Sequence, residues 1–234
     1  MNSLHYSHDQ SFFTKLSVGI SIFIIACFLL HAYRGFVDIG TTPLWVHLHG
    51  IVFVAWLFLF VVQNYLILNG KIEYHRSLGR AGCILLVLMF VLGIFTTVKA
   101  VALGRVPPFF DNAYFLALGV IDITSFLCIV LFAVYKRSDT QAHRRWMVVA
   151  AIILMEPALG RVLPFEVFGM YFSWAQRFCQ LLVIIIAAIH DIRVYGKAHI
   201  TWWWGAAIII LSHLIILFFS HSSIFIDISN SIAM

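Results

Sequence analysis

Long apolar segments follow one another along almost the whole chain, and this pattern limits the fold more than any other feature of the sequence. A helix of about 20 apolar residues crosses the roughly 30 Å hydrocarbon core of a bilayer. Seven segments of suitable length are present, near residues 12–33, 43–68, 76–102, 112–135, 143–165, 172–190 and 199–220. The sequence therefore predicts a polytopic membrane protein with seven spans.

The composition agrees with a chain embedded in lipid. Hydrophobic residues make up 62% of the chain and charged residues 11%, whereas soluble domains contain roughly 25% charged residues. The connections leave no room for a soluble domain, and lipid offers no hydrogen-bond partner to an unpaired backbone group. We therefore expect residues 1–234 to form a single integral membrane domain, an all-α bundle of seven helices with the lipid bilayer as its partner.

The distribution of lysine and arginine predicts the orientation of this bundle. One side of the predicted membrane carries ten of these residues, namely Lys15, Lys71, Arg76, Arg80, Lys136, Arg137, Arg144, Arg145, Arg193 and Lys197. The other side carries five, namely Arg34, Lys99, Arg105, Arg161 and Arg177. Because cytoplasmic loops are enriched in lysine and arginine, we expect the N-terminus inside and the C-terminus outside, in a bacterial inner (plasma) membrane. The formal net charge of +5 fits contact with anionic lipid, and nothing in the pattern supports nucleic-acid binding.

Two similar strings open the third and fifth predicted spans, KIEYHRSLGR at 71–80 and SDTQAHRRWM at 138–147. Each places a His-Arg pair where a polar connection meets an apolar segment. His190 and His199 lie at the same predicted membrane surface, whereas His49 and His213 lie toward the other one. The sequence thus predicts two layers of histidines, one near each surface.

Residue spacing links the two layers. His199 and His213 are 14 residues apart, and the same spacing separates Gln176 from His190 and His49 from Gln63. Fourteen residues make nearly four helical turns, so each pair lies on one helix face with about 21 Å between its members.

Two layers of inward-facing histidines are what bis-imidazole ligation of two haems would require, because neutral imidazole is an axial ligand of haem iron. On this interpretation His49 and His213 ligate an outer haem. His199 or His190 would ligate an inner haem together with His75 or His143. The arginines best placed to hold haem propionates at outer depth are Arg161 and Arg177, because a guanidinium binds carboxylates through two parallel hydrogen bonds.

The layout resembles the transmembrane di-haem b-type cytochromes, in which paired histidines on neighbouring helices hold a haem near each membrane face. The strings HLHG (47–50), HRSLG (75–79) and AHRRW (142–146) also resemble a group of bacterial seven-span proteins of uncharacterised function. The cytochrome resemblance implies haem b as cofactor and electron transfer from a quinol or cytoplasmic-side donor to an outer acceptor, with a redox partner or membrane complex. The chain departs from that pattern because Gln63 and Gln176 stand where a strict di-haem bundle would repeat histidine.

A second interpretation rests on charged residues at mid-depth in the predicted membrane. Asp122 and Glu156 fall at comparable depths, Arg161 follows Glu156 by little more than one turn, and Pro157 should kink the helix there. These groups, with Gln63, are candidates for a proton or ion relay in a small-solute or proton-coupled transporter. The alternative is that Arg161 only neutralises Asp122 or Glu156 and fixes helix packing.

Two further interpretations remain open. The histidines at the membrane surface could simply cap helix ends or bind lipid phosphate, as in a structural subunit of a membrane complex. A quinone head could bind in the pocket of surface histidines or among the aromatic residues Tyr195, Trp202, Trp203 and Trp204, which otherwise form an interfacial belt.

Overall fold

The computed structural model describes residues 3–38 and 40–233, with side chains described from residue 9 onward. This part of the chain forms ten α-helices and no β-strand. The helices are α1 (Ser3–Tyr33), α2 (Leu44–Leu68), α3 (Ile72–Ala102), α4 (Asn112–Tyr135), α5 (Thr140–Ile153), α6 (Glu156–Val162), α7 (Phe165–Phe168), α8 (Phe172–Tyr195), α9 (Ile200–Ser220) and α10 (Ser223–Ile232).

Six segments are long and apolar enough to cross a membrane, which is the property of an integral membrane protein. They are Asp9–Tyr33, Leu44–Leu68, Ile72–Ala102, Asn112–Ser138, Phe165–Tyr195 and Ile200–Ser220. The all-α bundle is thereby confirmed. The fifth predicted span, 143–165, lies instead in two shorter helices, α5 and α6, so a count of seven spans stays a prediction.

The break between α5 and α6 has a local cause in Pro157, which occupies the first turn of α6. Proline has no backbone N–H, so it cannot donate to the carbonyl four residues earlier. That carbonyl belongs to Ile153, the last residue of α5, and the Nε2 of Gln180 on α8 donates to it at 3.3 Å and to the Ile152 carbonyl at 3.0 Å. The Gln180 side chain therefore satisfies the Ile153 carbonyl, whereas the Ile152 carbonyl also accepts from the Met155 backbone N–H at 3.1 Å.

Helix α5 occupies the centre of the bundle. It packs on α1, α4, α8 and α9, and the six residues from Val148 to Ile153 are each at most 2% exposed. Around it, α1 packs on α2, α2 on α3, α3 on α4, α4 on α9, α9 on α8, and α8 on α6. A short polar-flanked helix is tolerated here because protein, and not lipid, surrounds it.

The bundle has two ends, which we call the motif end, after the two His-Arg strings, and the vestibule end, after a cavity described below. At the motif end, α3, α5 and α9 begin, so His75, His143 and His199 lie there. At the opposite end, the vestibule end, α4 and α8 begin and α9 stops. Helix α10 packs across α3 and α4 at the vestibule end.

Candidate functional site

A saturated ion pair lies at the motif end between α5 and α8. Arg145 donates through Nε and Nη2 to the two carboxylate oxygens of Asp191, at 2.8 and 2.5 Å. The same carboxylate accepts from the Trp202 indole at 2.6 Å and from the His199 backbone N–H at 3.1 Å. Both charged residues are at most 1% exposed, so the pair is desolvated, bidentate and fully hydrogen-bonded.

A second carboxylate at the motif end, Asp9, ties α1 to α5 and α8. It is fully buried and accepts hydrogen bonds from Arg144, from the Tyr195 hydroxyl and, at 3.0 Å, from His190 Nε2. The His190 ring also stacks on Phe12 with ring centroids 3.7 Å apart. His190, predicted as an inner haem ligand, thus has its polar partner in Asp9.

His199 has a local role as well. It precedes α9, and its Nδ1 accepts a hydrogen bond from the Thr201 backbone N–H at 3.2 Å, which caps the helix. Both histidines thus have hydrogen-bond partners within the chain, His199 through Nδ1 and His190 through Nε2, and their role as inner haem ligands stays a prediction.

The structure does bring the two motif histidines together. The rings of His75 on α3 and His143 on α5 lie nearly perpendicular, at 85°, with centroids 6.4 Å apart. His143 Nδ1 lies 2.7 Å from the Ala133 carbonyl oxygen. A carbonyl only accepts, so this nitrogen carries the proton and Nε2 keeps its lone pair. His75 Nδ1 and Gln63 Oε1 are buried without a partner among the described residues.

The structure does not bring His49 and His213 together. Helix α2, which carries His49, packs on α1 and α3, whereas α9, which carries His213, packs on α4, α5 and α8. The His49 ring stacks on Phe53 with centroids 4.1 Å apart, and His213 contacts Trp174 with centroids 4.4 Å apart. The outer haem predicted between these two histidines finds no support in this packing.

A third ionic group lies deeper in the bundle, between α4 and α8. Arg177 donates through Nη2 to Asp122 Oδ2 at 3.0 Å and through Nη1 to Gln180 Oε1 at 3.1 Å. Arg177 is 2% exposed. The sequence interpretation assigned Arg177 to a haem propionate and missed it as the partner of Asp122.

Glu156 lies at the first position of α6, next to the helix break. It is 3% exposed, and its carboxyl accepts one hydrogen bond, from Gln176 Nε2 at 2.8 Å. Arg161, which the sequence placed beside it, donates instead to the Pro157 carbonyl at 2.6 Å, and its guanidinium carbon lies 4.0 Å from the Phe28 ring centroid. Glu156 therefore has an amide, and no guanidinium, as its hydrogen-bond partner.

A cavity of about 240 Å³ opens at the vestibule end. Its lining residues are Phe109, Phe110, Asp111, Tyr114, Phe165, Gly169, Met170, Phe172, Ser173 and Leu217. Three helices each supply a lining residue and, one or two turns deeper on the same face, a polar residue. These pairs are Tyr114 and Asp122 on α4, Ser173 and Arg177 on α8, and Leu217 and His213 on α9. Asp122 and Arg177 thus lie on deeper turns of two helices that line this cavity, which we call the vestibule.

Several polar atoms below the vestibule are buried without a hydrogen-bond partner in the described part of the chain. They are the Tyr114 hydroxyl, Asp122 Oδ1, Arg177 Nε and both ring nitrogens of His213. The Tyr114 hydroxyl lies beside Ser173 without a well-formed hydrogen bond. Because buried polar groups in proteins are nearly always partnered by protein or water, this region is built to hold water or a ligand.

We also searched the described residues for a possible metal-binding site. Within residues 3–38 and 40–233, no group of three or more His, Cys, Asp and Glu side chains converges in a geometry that could hold a metal ion. The His75–His143 pair supplies at most two protein ligands.

Comparisons with known proteins do not assign this chain to a family. Neither the protein-family models, nor the curated proteins, nor the solved structures contain a match to this chain.

Proposed function

We propose that this integral membrane protein is a proton-coupled transporter of a small solute, in which Glu156 exchanges the proton and Asp122 and Arg177 form the charged partner site. The observation that carries the proposal is a buried carboxyl at a broken helix, together with an ion pair between buried Arg177 and partly exposed Asp122 on helices that line an open cavity. In this proposal α5 and α6 together make the seventh crossing, and the vestibule end faces outward.

The position of Glu156 supports this role. Ionisable groups inside a membrane are costly, so they commonly mark ion or proton pathways. Discontinuous helices recur at transporter binding sites, because side chains and freed backbone groups can reach a ligand there. Glu156 combines both features, since it is buried at the start of α6 where the chain resumes after the break.

The two carboxyls have different partners, which separates their roles. Asp122 shares a hydrogen bond with a guanidinium, and this stabilises its charged form. Glu156 receives only an amide N–H, which binds the charged and the neutral carboxyl with less discrimination. Glu156 is therefore the group that can gain or lose a proton with the smaller rearrangement.

The charge balance couples a proton to a solute. With Asp122 and Glu156 ionised, Arg161 and Arg177 neutralise the group. Protonation of Glu156 leaves one excess positive charge in a low-dielectric region, where charge interactions are strong. A proton bound at Glu156 thus favours a negatively charged solute at the same time.

Reconstituted vesicles test the proposal. Purified protein would be placed in liposomes that contain a pH-sensitive dye, with the membrane potential clamped by potassium and an ionophore. External amino acids, sugars and organic anions would be added in turn. We expect at least one class to accelerate proton entry, and Glu156→Gln to reduce that entry at least tenfold.

Matched controls remove carboxyls outside the site. Glu73 on α3 and Asp227 on α10 are exposed, so Glu73→Gln and Asp227→Asn should retain the flux. A Glu156→Gln protein that is folded and transports protons at the unchanged rate would overturn the proposal.

A second candidate function rests on the two motif histidines. His75 and His143, with centroids 6.4 Å apart on different helices, are spaced so that one metal ion or haem iron could accept a nitrogen from each side, with bonds of about 2 Å. A haem there would supply one-electron transfer, with a quinol and a redox partner as the other components. The reduced-minus-oxidised absorption spectrum of the purified protein tests this, and His75→Ala or His143→Ala should remove the haem bands while His221→Ala keeps them.

A further inference from the structure

We infer that the vestibule and the polar atoms below it bind a small carboxylate with an aromatic or short apolar tail. This inference deepens the proposed transport function and rests on it, because it names the substrate class of the same site. The tail would lie against the phenylalanine rings that line the cavity, and the carboxylate would lie between Tyr114, Arg177 and His213.

The walls of the vestibule fit an apolar group. Phe109, Phe165 and Phe172 form a triangle of rings, with centroids 5.3 Å apart for Phe109–Phe165, 5.2 Å for Phe109–Phe172 and 5.4 Å for Phe165–Phe172. Aromatic rings at such separations offer their faces and edges to a further ring. The cavity of about 240 Å³ is smaller than the roughly 300–1,000 Å³ of sites for drug-sized ligands, so the tail is limited to one ring or a short chain.

The floor of the site fits an acceptor. Arg177 Nε–H and the Tyr114 hydroxyl are hydrogen-bond donors that lack an acceptor among the described residues, and His213 has two buried ring nitrogens without partners, one of which carries a proton when the ring is neutral. Leaving buried donors unpaired is unfavourable. A carboxylate has two oxygens that only accept, so one such group can satisfy two or three of these donors.

The positive charge of Arg177 favours an anionic head group on the ligand over a neutral or cationic one. Arg177 lies close enough to act electrostatically on both Tyr114 and His213. An ammonium group would be repelled by Arg177 and has no lone pair to accept with. Asp122 Oδ1 is an unpartnered acceptor and opposes an anion, and protonation of Glu156 offsets that repulsion. The solute therefore binds best together with the proton.

The positions of these residues along α8 and α9 predict how the bound ligand is oriented. Ser173 and Arg177 are four residues apart on α8, and His213 and Leu217 are four residues apart on α9, so each deeper residue lies one turn below a lining residue. Arg177 and His213 are each at most 2% exposed. A carboxylate that enters from the vestibule end meets the donors first with its charged head and leaves its tail against the outer side of the three rings.

Isothermal titration calorimetry of the protein in nanodiscs tests the inference, with lipid-only nanodiscs as the blank. Benzoate, benzyl alcohol and benzylamine share one ring and differ in the polar head. We expect saturable benzoate binding, at least tenfold weaker binding of the alcohol, and no binding of the amine. Tyr114→Phe should weaken benzoate binding at least tenfold, whereas Tyr171→Phe, at an exposed tyrosine of the same end that does not line the cavity, should not change it.

Equal affinity for benzoate and benzyl alcohol, a preference for benzylamine, or no binding of any probe would each overturn the inference. The outcome is separable from that of the transport proposal. If benzoate binds as expected and Glu156→Gln leaves proton flux unchanged, the transport proposal fails and the carboxylate site stands. If Glu156→Gln removes the flux and benzoate does not bind, transport stands and the carboxylate assignment fails.

Discussion

Three aspartates pair with arginines in the described part of this bundle, and two of these pairs differ most in their surroundings, that of buried Asp191 at the motif end and that of partly exposed Asp122 below the vestibule. Asp191 receives both arms of a guanidinium fork, an indole N–H and a backbone N–H. Asp122 receives a single hydrogen bond from Arg177, and its second oxygen has no partner among the described residues. The residue types are the same, but one pair is saturated and the other is not.

The difference separates a structural role from a binding role. A saturated buried pair has no capacity left for a ligand, and breaking it exposes a charge to a low-dielectric interior. An unsaturated pair keeps lone pairs and N–H groups that something else must satisfy. We therefore expect substitutions at Asp191 to affect folding and substitutions around Asp122 to affect binding.

The largest effect should come from Asp191→Asn. This change leaves Arg145 as an uncompensated buried cation, which costs about 3–5 kcal/mol in the free energy of unfolding. Unfolding by sodium dodecyl sulfate in mixed micelles measures it, with Asp227→Asn as the control at an exposed aspartate. A loss below about 1 kcal/mol would show that the saturated pair is not structural.

Gln180→Leu should rank second. The amide of Gln180 covers the Ile152 and Ile153 carbonyls at the helix break and accepts from Arg177. Its loss leaves the Ile153 carbonyl and Arg177 Nη1 without this partner in the bundle interior, at a cost of about 2–3 kcal/mol, whereas the Ile152 carbonyl keeps the Met155 N–H. The same unfolding assay measures this, and Gln141→Leu offers a comparison at the motif end, where the Gln141 side chain accepts from Arg144 and Arg145. Full stability of Gln180→Leu would mean that water takes over the carbonyls.

Asp122→Asn should cost less, about 1–2 kcal/mol. Arg177 keeps its bond to Gln180 in this variant, and Glu156 remains nearby to balance its charge. Measured beside Asp191→Asn in one denaturant series, the two values test the comparison directly. Equal losses at the two aspartates would remove the distinction between a saturated and an unsaturated pair.

The smallest effect on stability should come from Tyr114→Phe. The hydroxyl of Tyr114 is buried without a partner in the described structure, so removing it deletes no hydrogen bond and should change the free energy of unfolding by less than about 0.5 kcal/mol. This variant therefore separates binding from stability. A large destabilisation would show that ordered water, and not a solute, satisfies the hydroxyl.

The sequence predicted the helices better than the site. Apolar segment length placed spans at 43–68, 112–135 and 199–220, and the structure has α2, α4 and α9 at Leu44–Leu68, Asn112–Tyr135 and Ile200–Ser220. The thickness of the hydrocarbon core sets the length of such apolar segments, and capping side chains such as Asp111 and His199 stand at the starts of α4 and α9. The kink predicted at Pro157 also appears as the break between α5 and α6, because the missing N–H of proline is a local property.

The sequence could not predict which side chains on different helices contact each other. Arg161 and Arg177 have similar predicted depths, and depth does not say which helix faces which. The structure turns Arg161 toward Phe28 and Arg177 toward Asp122. His49 and His213 likewise matched in depth but lie on helices that pack on different neighbours. Residue spacing predicts which side chains share one face of a helix. Which neighbouring helix that face contacts depends on how both helices are rotated about their axes, and spacing does not predict this.

The buried position of Asp9 has a consequence for how the chain is made. Its partners come much later in the sequence, Arg144 by 135 residues, His190 by 181 and Tyr195 by 186. At a synthesis rate of roughly 5–20 residues per second, the first helix waits roughly 10–40 s at the ribosome before its acidic group is covered. During that interval Asp9, at the motif end of α1, lacks these partners, so the contacts that tie α1 to α8 can form only after α8 has been synthesised.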